Sequence, residues 1–181
     1  MHDRGLVALD ARLERAGSDM LRFNFPYRDK GSARPDPMRV LTRTIESVVA
    51  RVRAERQGAR LVIGGRSMGG RAASMLAAQG FACDGLLLLA YPLHPAGQTE
   101  KLRAAHLAAI RVPTLCINGT RDALCQRDLM HSALGTVGPD FRMHWVDGAD
   151  HSFHVLKASG RDDEAVLDEI AAVAVPLLLG G

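Results

Sequence analysis

Aromatic side chains are scarce, at 4% of the 181 residues, and the basic residues, mostly arginine, are scattered rather than gathered into a run. A formal net charge of +3 is therefore no argument for a nucleic-acid surface, which needs clustered cations with aromatic platforms between them. Cysteine is equally sparse. Cys83, Cys116 and Cys125 are odd in number and form no C-x-x-C pair, which argues against a disulfide framework or a zinc knuckle and for a reducing compartment. No metal or organic cofactor is expected. Long apolar runs are missing too: the longest clean stretch, Leu86 to Ala90, is far too short to span a bilayer. The apolar segment Ala171 to Leu179 is interrupted by Pro176 and preceded by acidic residues, as befits a helix end facing a core. With no basic, apolar leader at the start, a cytoplasmic protein without membrane contact is expected. Internal repeats and low-complexity tracts are also absent.

What is present is ordinary for one folded unit: 47% hydrophobic and 24% charged residues, enough for a sizeable core in a single domain over 1–181. Short runs of Leu, Val, Ile and Phe alternate with longer segments of helical period, the pattern of parallel strands joined by crossover helices. Strands are predicted at Met20 to Phe25, Arg60 to Gly64, Gly85 to Ala90, Thr114 to Asn118 and Phe141 to Val146. Gly5 to Gly17 reads as a helix. A long helix is predicted from Asp36-Pro37, with Asp36 accepting an orphan N–H and Pro37 needing no partner; Leu41, Ile45, Val48 and Val52 mark its inner face. Another starts at Met68, and a last one near Gly160, with Asp162, Asp163 and Glu164 in its first turn and Val166, Ile170, Val173 and Leu177 facing inward. In such sheets ligands sit beyond the carboxyl ends of strands. The loops Pro26 to Pro35 and Tyr91 to Gln98 should therefore border a pocket, with Tyr91 and His94 as candidate substrate contacts.

Gly65-Arg66-Ser67-Met68-Gly69 has the form G-x-S-x-G between a predicted strand and a predicted helix, where a strained turn exposes a nucleophilic serine. Small flanking residues at Gly65 and Gly69 are expected to let strand and helix pass closely. The bland reading is a tight turn without chemistry; a phosphate loop is disfavoured because the Lys-Ser/Thr ending is absent. A serine hydroxyl needs a base, and the base needs a carboxylate to hold its tautomer. Asp122 follows one predicted strand and His151 the next, in the chain order serine, acid, histidine. Asp147 and Asp150 are rival acids; Asp150 adjoins His151 and would struggle to reach its ring, while Asp147 suits a turn. His154, His144 and His94 are rival bases, and His151 with His154 makes a poor metal pair without a third ligand. Ser67, Asp122 and His151 form the preferred set.

With these residues in place the chain resembles the α/β-hydrolase superfamily, and within it the dienelactone-hydrolase-like branch that includes the KANL/Tex-type hydrolase-like domain. The resemblance runs in order through the segments beginning at Leu21, Gly65, Tyr91, Gly119 and His151 and covers nearly the whole chain. It implies an α/β fold, a three-layer α/β/α sandwich with a mostly parallel sheet, and the same three residues, with the Met68 N–H in an oxyanion hole. Family members usually begin with an apolar strand and a His-Gly loop that supplies a second oxyanion donor. Here Met1 is followed almost at once by the Gly5 to Gly17 helix, so that central strand is expected to be lacking, and the Tyr27 hydroxyl is a candidate substitute for its donor. Arg66 and Arg71 flank the serine and are candidate contacts for an acidic acyl group, Arg66 foremost, although an arginine there more often points to water or ties down a loop. The expected activity is hydrolysis of a small-molecule ester or thioester by a carboxylesterase-like serine hydrolase. The alternative is a catalytically weak hydrolase-like module that binds a ligand, a protein partner or a second copy of itself, because the branch includes interaction domains.

Overall fold

A computed structural model describes residues 3–181. The elements follow in the order α1 (Arg4–Arg15), α2 (Pro26–Asp29), α3 (Met38–Glu55), β1 (Val62–Arg66), α4 (Met68–Ala78), β2 (Gly85–Leu89), β3 (Thr114–Gly119), α5 (Arg127–Leu134), β4 (Phe141–Val146) and α6 (Asp163–Leu179). The four strands lie side by side in the order β1-β2-β3-β4, all parallel. Leucine alternation in β2 divides the interior. Leu86 and Leu88 join Leu41, Ile45, Ala73 and Leu76 on one face, under α3 and α4. Leu87 and Leu89 join Leu9, Leu13, Val166 and Ile170 on the other, under α1 and α6. A strand buried on both faces reads as a continuous apolar run because neither face needs polar residues. Among the described residues no helix is long and apolar enough to cross a membrane.

Several elements differ from their sequence reading. Met20 to Phe25 forms no strand, although its alternation suits one. Strand state requires a ladder with a neighbour's backbone, and this segment makes none: β1 is the edge of the sheet and pairs only with β2 among the described residues. Phe23 and Phe25 are instead used as packing groups against the α3–α4 face, meeting edge to face with ring centroids 5.5 Å apart. The inner face of α3 is Leu41, Thr42, Ile45 and Val49, with Val48 and Val52 only half-buried. That helix starts at Met38 with no side-chain cap. Asp36 is used elsewhere, its carboxylate accepting the N–H of Tyr27 at 2.9 Å and so pinning the loop after residue 25. In α6, Asp162 is the N-cap and accepts from the Ala165 N–H at 2.8 Å, with Ala174 rather than Val173 buried. Helix α5 was not anticipated from the sequence.

Candidate active site

The site forms where β1 turns into α4. Ser67 occupies that turn with φ 54° and ψ −116°, a conformation that costs a non-glycine residue on the order of 1–3 kcal/mol and persists only when the surroundings impose it. Those surroundings are identifiable. The Ser67 N–H donates to Leu89 O at 2.8 Å, continuing the β1–β2 ladder, while Ser67 O accepts the Arg71 N–H at 3.0 Å, starting the helix. The strand-helix crossing is tightest between Gly65 and Gly70. A methyl carbon on Gly70 would fall 2.7 Å from Gly65 O, and one on Gly65 2.9 Å from the Gly69 carbonyl carbon. Gly69 itself, expected to be essential for close passage, has room: a methyl carbon there would meet only the Phe25 ring, at 3.8 Å.

Asp122 lies in the turn after β3 and His151 in the loop after β4, so neighbouring strand ends bring both to Ser67. His151 Nδ1 donates to Asp122 at 2.9 Å to Oδ2 and 3.0 Å to Oδ1, and Nε2 stands 2.9 Å from Ser67 Oγ. With its proton on Nδ1, the imidazole presents a lone pair on Nε2 and accepts the serine hydrogen. The Asp122 side chain is fully buried while His151 is partly open to solvent. Such a carboxylate needs donors in addition to the imidazole, and it has them: the Leu124 N–H at 2.8 Å to Oδ1 and Asn118 Nδ2 at 3.0 Å to Oδ2.

Asn118 was not singled out from sequence, yet it organises this corner. Fully buried at the end of β3, it donates to Asp122 and to Tyr91 O at 3.1 Å, and accepts the Tyr91 N–H at 3.1 Å. The only sequence signal was a buried-strand position occupied by an amide in an otherwise apolar run.

The remaining candidates separate clearly. Asp150, not Asp147, shapes the His151 turn, its Oδ1 accepting the N–H groups of Ser152 at 2.7 Å and His154 at 3.0 Å. Asp147 accepts from Thr120 Oγ1 at 3.2 Å and links the loops after β3 and β4. His144 is bonded to Glu169 at 2.6 Å, and His154 to Asp163 at 2.9 Å, which raises the His154 pKa through that hydrogen bond and the carboxylate charge. Tyr91, expected at the pocket, is fully buried. Its hydroxyl donates to Arg103 O at 2.6 Å, and desolvation raises its pKa; it braces the loop from inside and does not line a pocket. His94 is buried as well, with Nδ1 2.9 Å from Pro95 O. Arg66 is ion-paired with Asp3 at 2.7 Å, and because Asp3 also caps α1 this arginine ties β1 to the first helix. Met68 is the first residue of α4, so its N–H belongs to the set that a helix leaves without internal partners. The Tyr27 ring stacks at 6.3 Å on Phe25, whose ring in turn lies against Gly69. Among the described residues no group of three or more His, Cys, Asp or Glu side chains is arranged to hold a metal ion.

Residues 1–177 match the profile of the alpha/beta hydrolase domain family. The chain belongs to that family. Solved structures with similar folds include an α/β serine hydrolase homologue from Coxiella burnetii, 19% identical, with TM-score 0.76 over 98% of this chain and 77% of the other. A second is an α/β serine hydrolase without a lid from Xanthomonas campestris, 20% identical, with TM-score 0.74 over 98% and 75%. A third is a putative α/β hydrolase from Agrobacterium tumefaciens, 18% identical, with TM-score 0.76 over 99% and 79%. Within this α/β hydrolase, the four-stranded parallel sheet and its flanking helices are the part of the family fold that holds Ser67, Asp122 and His151 together.

Proposed function

We propose that this α/β hydrolase is a serine hydrolase that cleaves a small ester or thioester. The carrying observation is the unbroken chain of contacts from Asp122 through His151 to Ser67, at 2.9 Å on each side of the imidazole. Ser67 Oγ attacks the acyl carbon as its proton passes to His151 Nε2. The resulting oxyanion meets the Met68 N–H, with the Tyr27 hydroxyl as the second donor. His151 then gives the proton to the leaving oxygen or sulfur as its bond to the acyl carbon breaks, leaving an acyl-serine. Water, deprotonated by His151, attacks that ester; the bond to Ser67 Oγ breaks, His151 returns the proton to Oγ, and the acid is released with Ser67 regenerated. Asp122 stays ionised throughout, holding the tautomer and stabilising the imidazolium. These steps use only side chains, a backbone amide and water. The strained Ser67 backbone supports the reading, since strain at one polar residue concentrates at working sites. So do the serine hydrolases among the structural relatives, one of them without a lid.

A fluorophosphonate probe tests this directly. Labelling of the native protein is expected, with the adduct on Ser67 by mass spectrometry and with no label in Ser67→Ala or His151→Ala. Tyr27→Phe is expected to lower kcat on p-nitrophenyl acetate by about tenfold or more through loss of an oxyanion donor. A native protein silent toward both probe and ester would overturn the enzymatic reading and favour a hydrolase-like module that uses the cleft for binding.

A further inference from the structure

Six arginines are neither exposed nor fully buried: Arg12, Arg22, Arg66, Arg71, Arg103 and Arg161. Four of them pair with carboxylates. Arg12 meets Glu164 and Asp168, Arg22 meets Asp10, Arg66 meets Asp3, and Arg161 meets Glu169. Arg71 and Arg103 have no carboxylate within ion-pair distance among the described residues, and the Nε of Arg71 is buried without any hydrogen-bond partner. A half-buried guanidinium with an empty donor is costly, and proteins normally supply a counter-charge.

The two arginines occupy one neighbourhood, held by a defined set of bonds. Arg71 is in the first turn of α4, one helical turn from Ser67, with its N–H on Ser67 O at 3.0 Å. The Ser74 hydroxyl donates to Arg71 O at 2.9 Å, so its single hydrogen is used and His106 Nε2, at 2.8 Å, must be the donor to it. That bond fastens the His106 segment to α4. Arg103, on the same segment, is fixed through its main chain: its N–H donates to Leu93 O at 2.7 Å and its carbonyl accepts from Tyr91 Oη at 2.6 Å. Burial, and after it the positive charge of Arg71, lowers the pKa of Arg103, and brings that of His106 down to about 4. The Arg71 guanidinium therefore acts on both the Arg103 guanidinium and the His106 imidazole, and among the described residues no carboxylate lies within ion-pair distance of either arginine.

We propose that Arg71 and Arg103 form an anion subsite beside Ser67 that takes a carboxylate carried by the acyl group of the substrate. The two terminal nitrogens of a guanidinium form a fork that matches the two oxygens of a carboxylate, and those of Arg71 are not among the buried unpartnered atoms; position i+4 on α4 places Arg71 one turn from Ser67 on the same side of the helix. The preferred substrates are then half-esters or half-thioesters of short dicarboxylic acids. Placing the carboxylate on a substrate rests on the proposed serine hydrolase activity; the capture of a carboxylate rests on the arginines alone.

Two measurements separate these claims. In the first, kcat/KM of the native protein is compared on mono-p-nitrophenyl glutarate and the neutral p-nitrophenyl valerate. A preference of tenfold or more for the charged ester is expected, falling toward one in Arg71→Gln and Arg103→Gln and retained in the surface control Arg142→Gln. In the second, Ser67→Ala protein is titrated calorimetrically with monomethyl glutarate, and binding is expected to be lost on adding Arg71→Gln. Circular dichroism checks the fold of each variant, and Arg71→Lys, which keeps the charge without the fork, serves if the glutamine variant does not fold; it is expected to keep only part of the preference. Turnover of both esters with a ratio near one, or a preference unchanged in the arginine variants, would overturn the subsite and leave the hydrolase intact. No turnover of either ester together with arginine-dependent glutarate binding would support the subsite and overturn the hydrolase. No turnover and no binding would overturn both.

Discussion

Asn118 shows how one buried amide determines the geometry of residues it does not resemble in sequence or location. Its side chain completes the hydrogen bonding of Asp122 and closes both backbone groups of Tyr91, so it is a positioning residue for the His151 tautomer. Asn118→Ala is expected to lower stability by about 1–3 kcal/mol, because buried Tyr91 groups lose their partners. It should also lower kcat on a p-nitrophenyl ester about tenfold, equivalent to about 1.4 kcal/mol, with little change in KM. Urea unfolding and steady-state kinetics check the two effects separately, and a purely structural role would leave kcat unchanged in the folded fraction. The glycines make a second residue-scale contrast. Gly70→Ala places a methyl against Gly65 O at 2.7 Å, whereas Gly69→Ala meets only a ring edge at 3.8 Å. The first is expected to destabilise by about 1–3 kcal/mol. The second should be neutral or slightly stabilising, since alanine is the better helix residue by about 1 kcal/mol. Denaturant midpoints of the two variants decide the matter; equal losses would refute the crossing geometry.

At the scale of elements, α1 is attached to the body by two different means. Leu9 and Leu13 are buried against α6 and β2, while Arg12 reaches across to Glu164 and Asp168 at 2.6 Å each. The acids are largely exposed, so solvent weakens those pairs to at most about 1 kcal/mol. The apolar contact dominates: Leu13→Ala is expected to cost about 2–5 kcal/mol, and Asp168→Asn less than about 1 kcal/mol, as read by thermal or urea unfolding. A comparable loss from both would mean that the ion pairs, rather than the leucines, hold the helix.

Over the whole molecule, buried titratable groups make stability depend on pH. Desolvation, followed by the charge of Arg71, lowers the His106 pKa from 6.5 to about 4. Between those values the unfolded chain binds a proton that the folded chain refuses, so stability rises with pH across that window and is lost on acidification. Solvent screening of this part-buried ring holds the effect to on the order of 2 kcal/mol. In Glu169 desolvation acts to raise the pKa, but hydrogen bonds from His144 and Arg161 outweigh it and the net shift is downward. Its contribution is present above the unfolded value of 4.5 and fades only as pH falls through the lower folded value. Urea midpoints measured from pH 7 to pH 4 should therefore fall for the native protein and fall less for His106→Gln. An identical slope in both proteins would exclude His106 as the cause.

The pattern of short apolar runs and helical segments was sufficient to predict β2, β3 and β4, and with a shift of two residues β1; the signal is plainest in β2 and β3, which are buried on both faces and so have no choice but to be apolar. Gly65 and Ser67, and the acid and histidine after successive strands, were equally legible, since chain order and strand ends dictate which residues meet at one rim of a parallel sheet; that Gly70 rather than Gly69 makes the close crossing was not. Other features depended on partners that no local pattern contains. Met20 to Phe25 has the alternation of a strand, but pairing belongs to two segments at once. Tyr91 and His94 follow a strand as pocket residues do, and only packing decides that both point into the protein. Arg66 and Arg71 look equivalent beside Ser67; the tertiary structure pairs one with Asp3 and, among the described residues, leaves the other without a carboxylate, because a counter-ion is a neighbour in space and not in sequence.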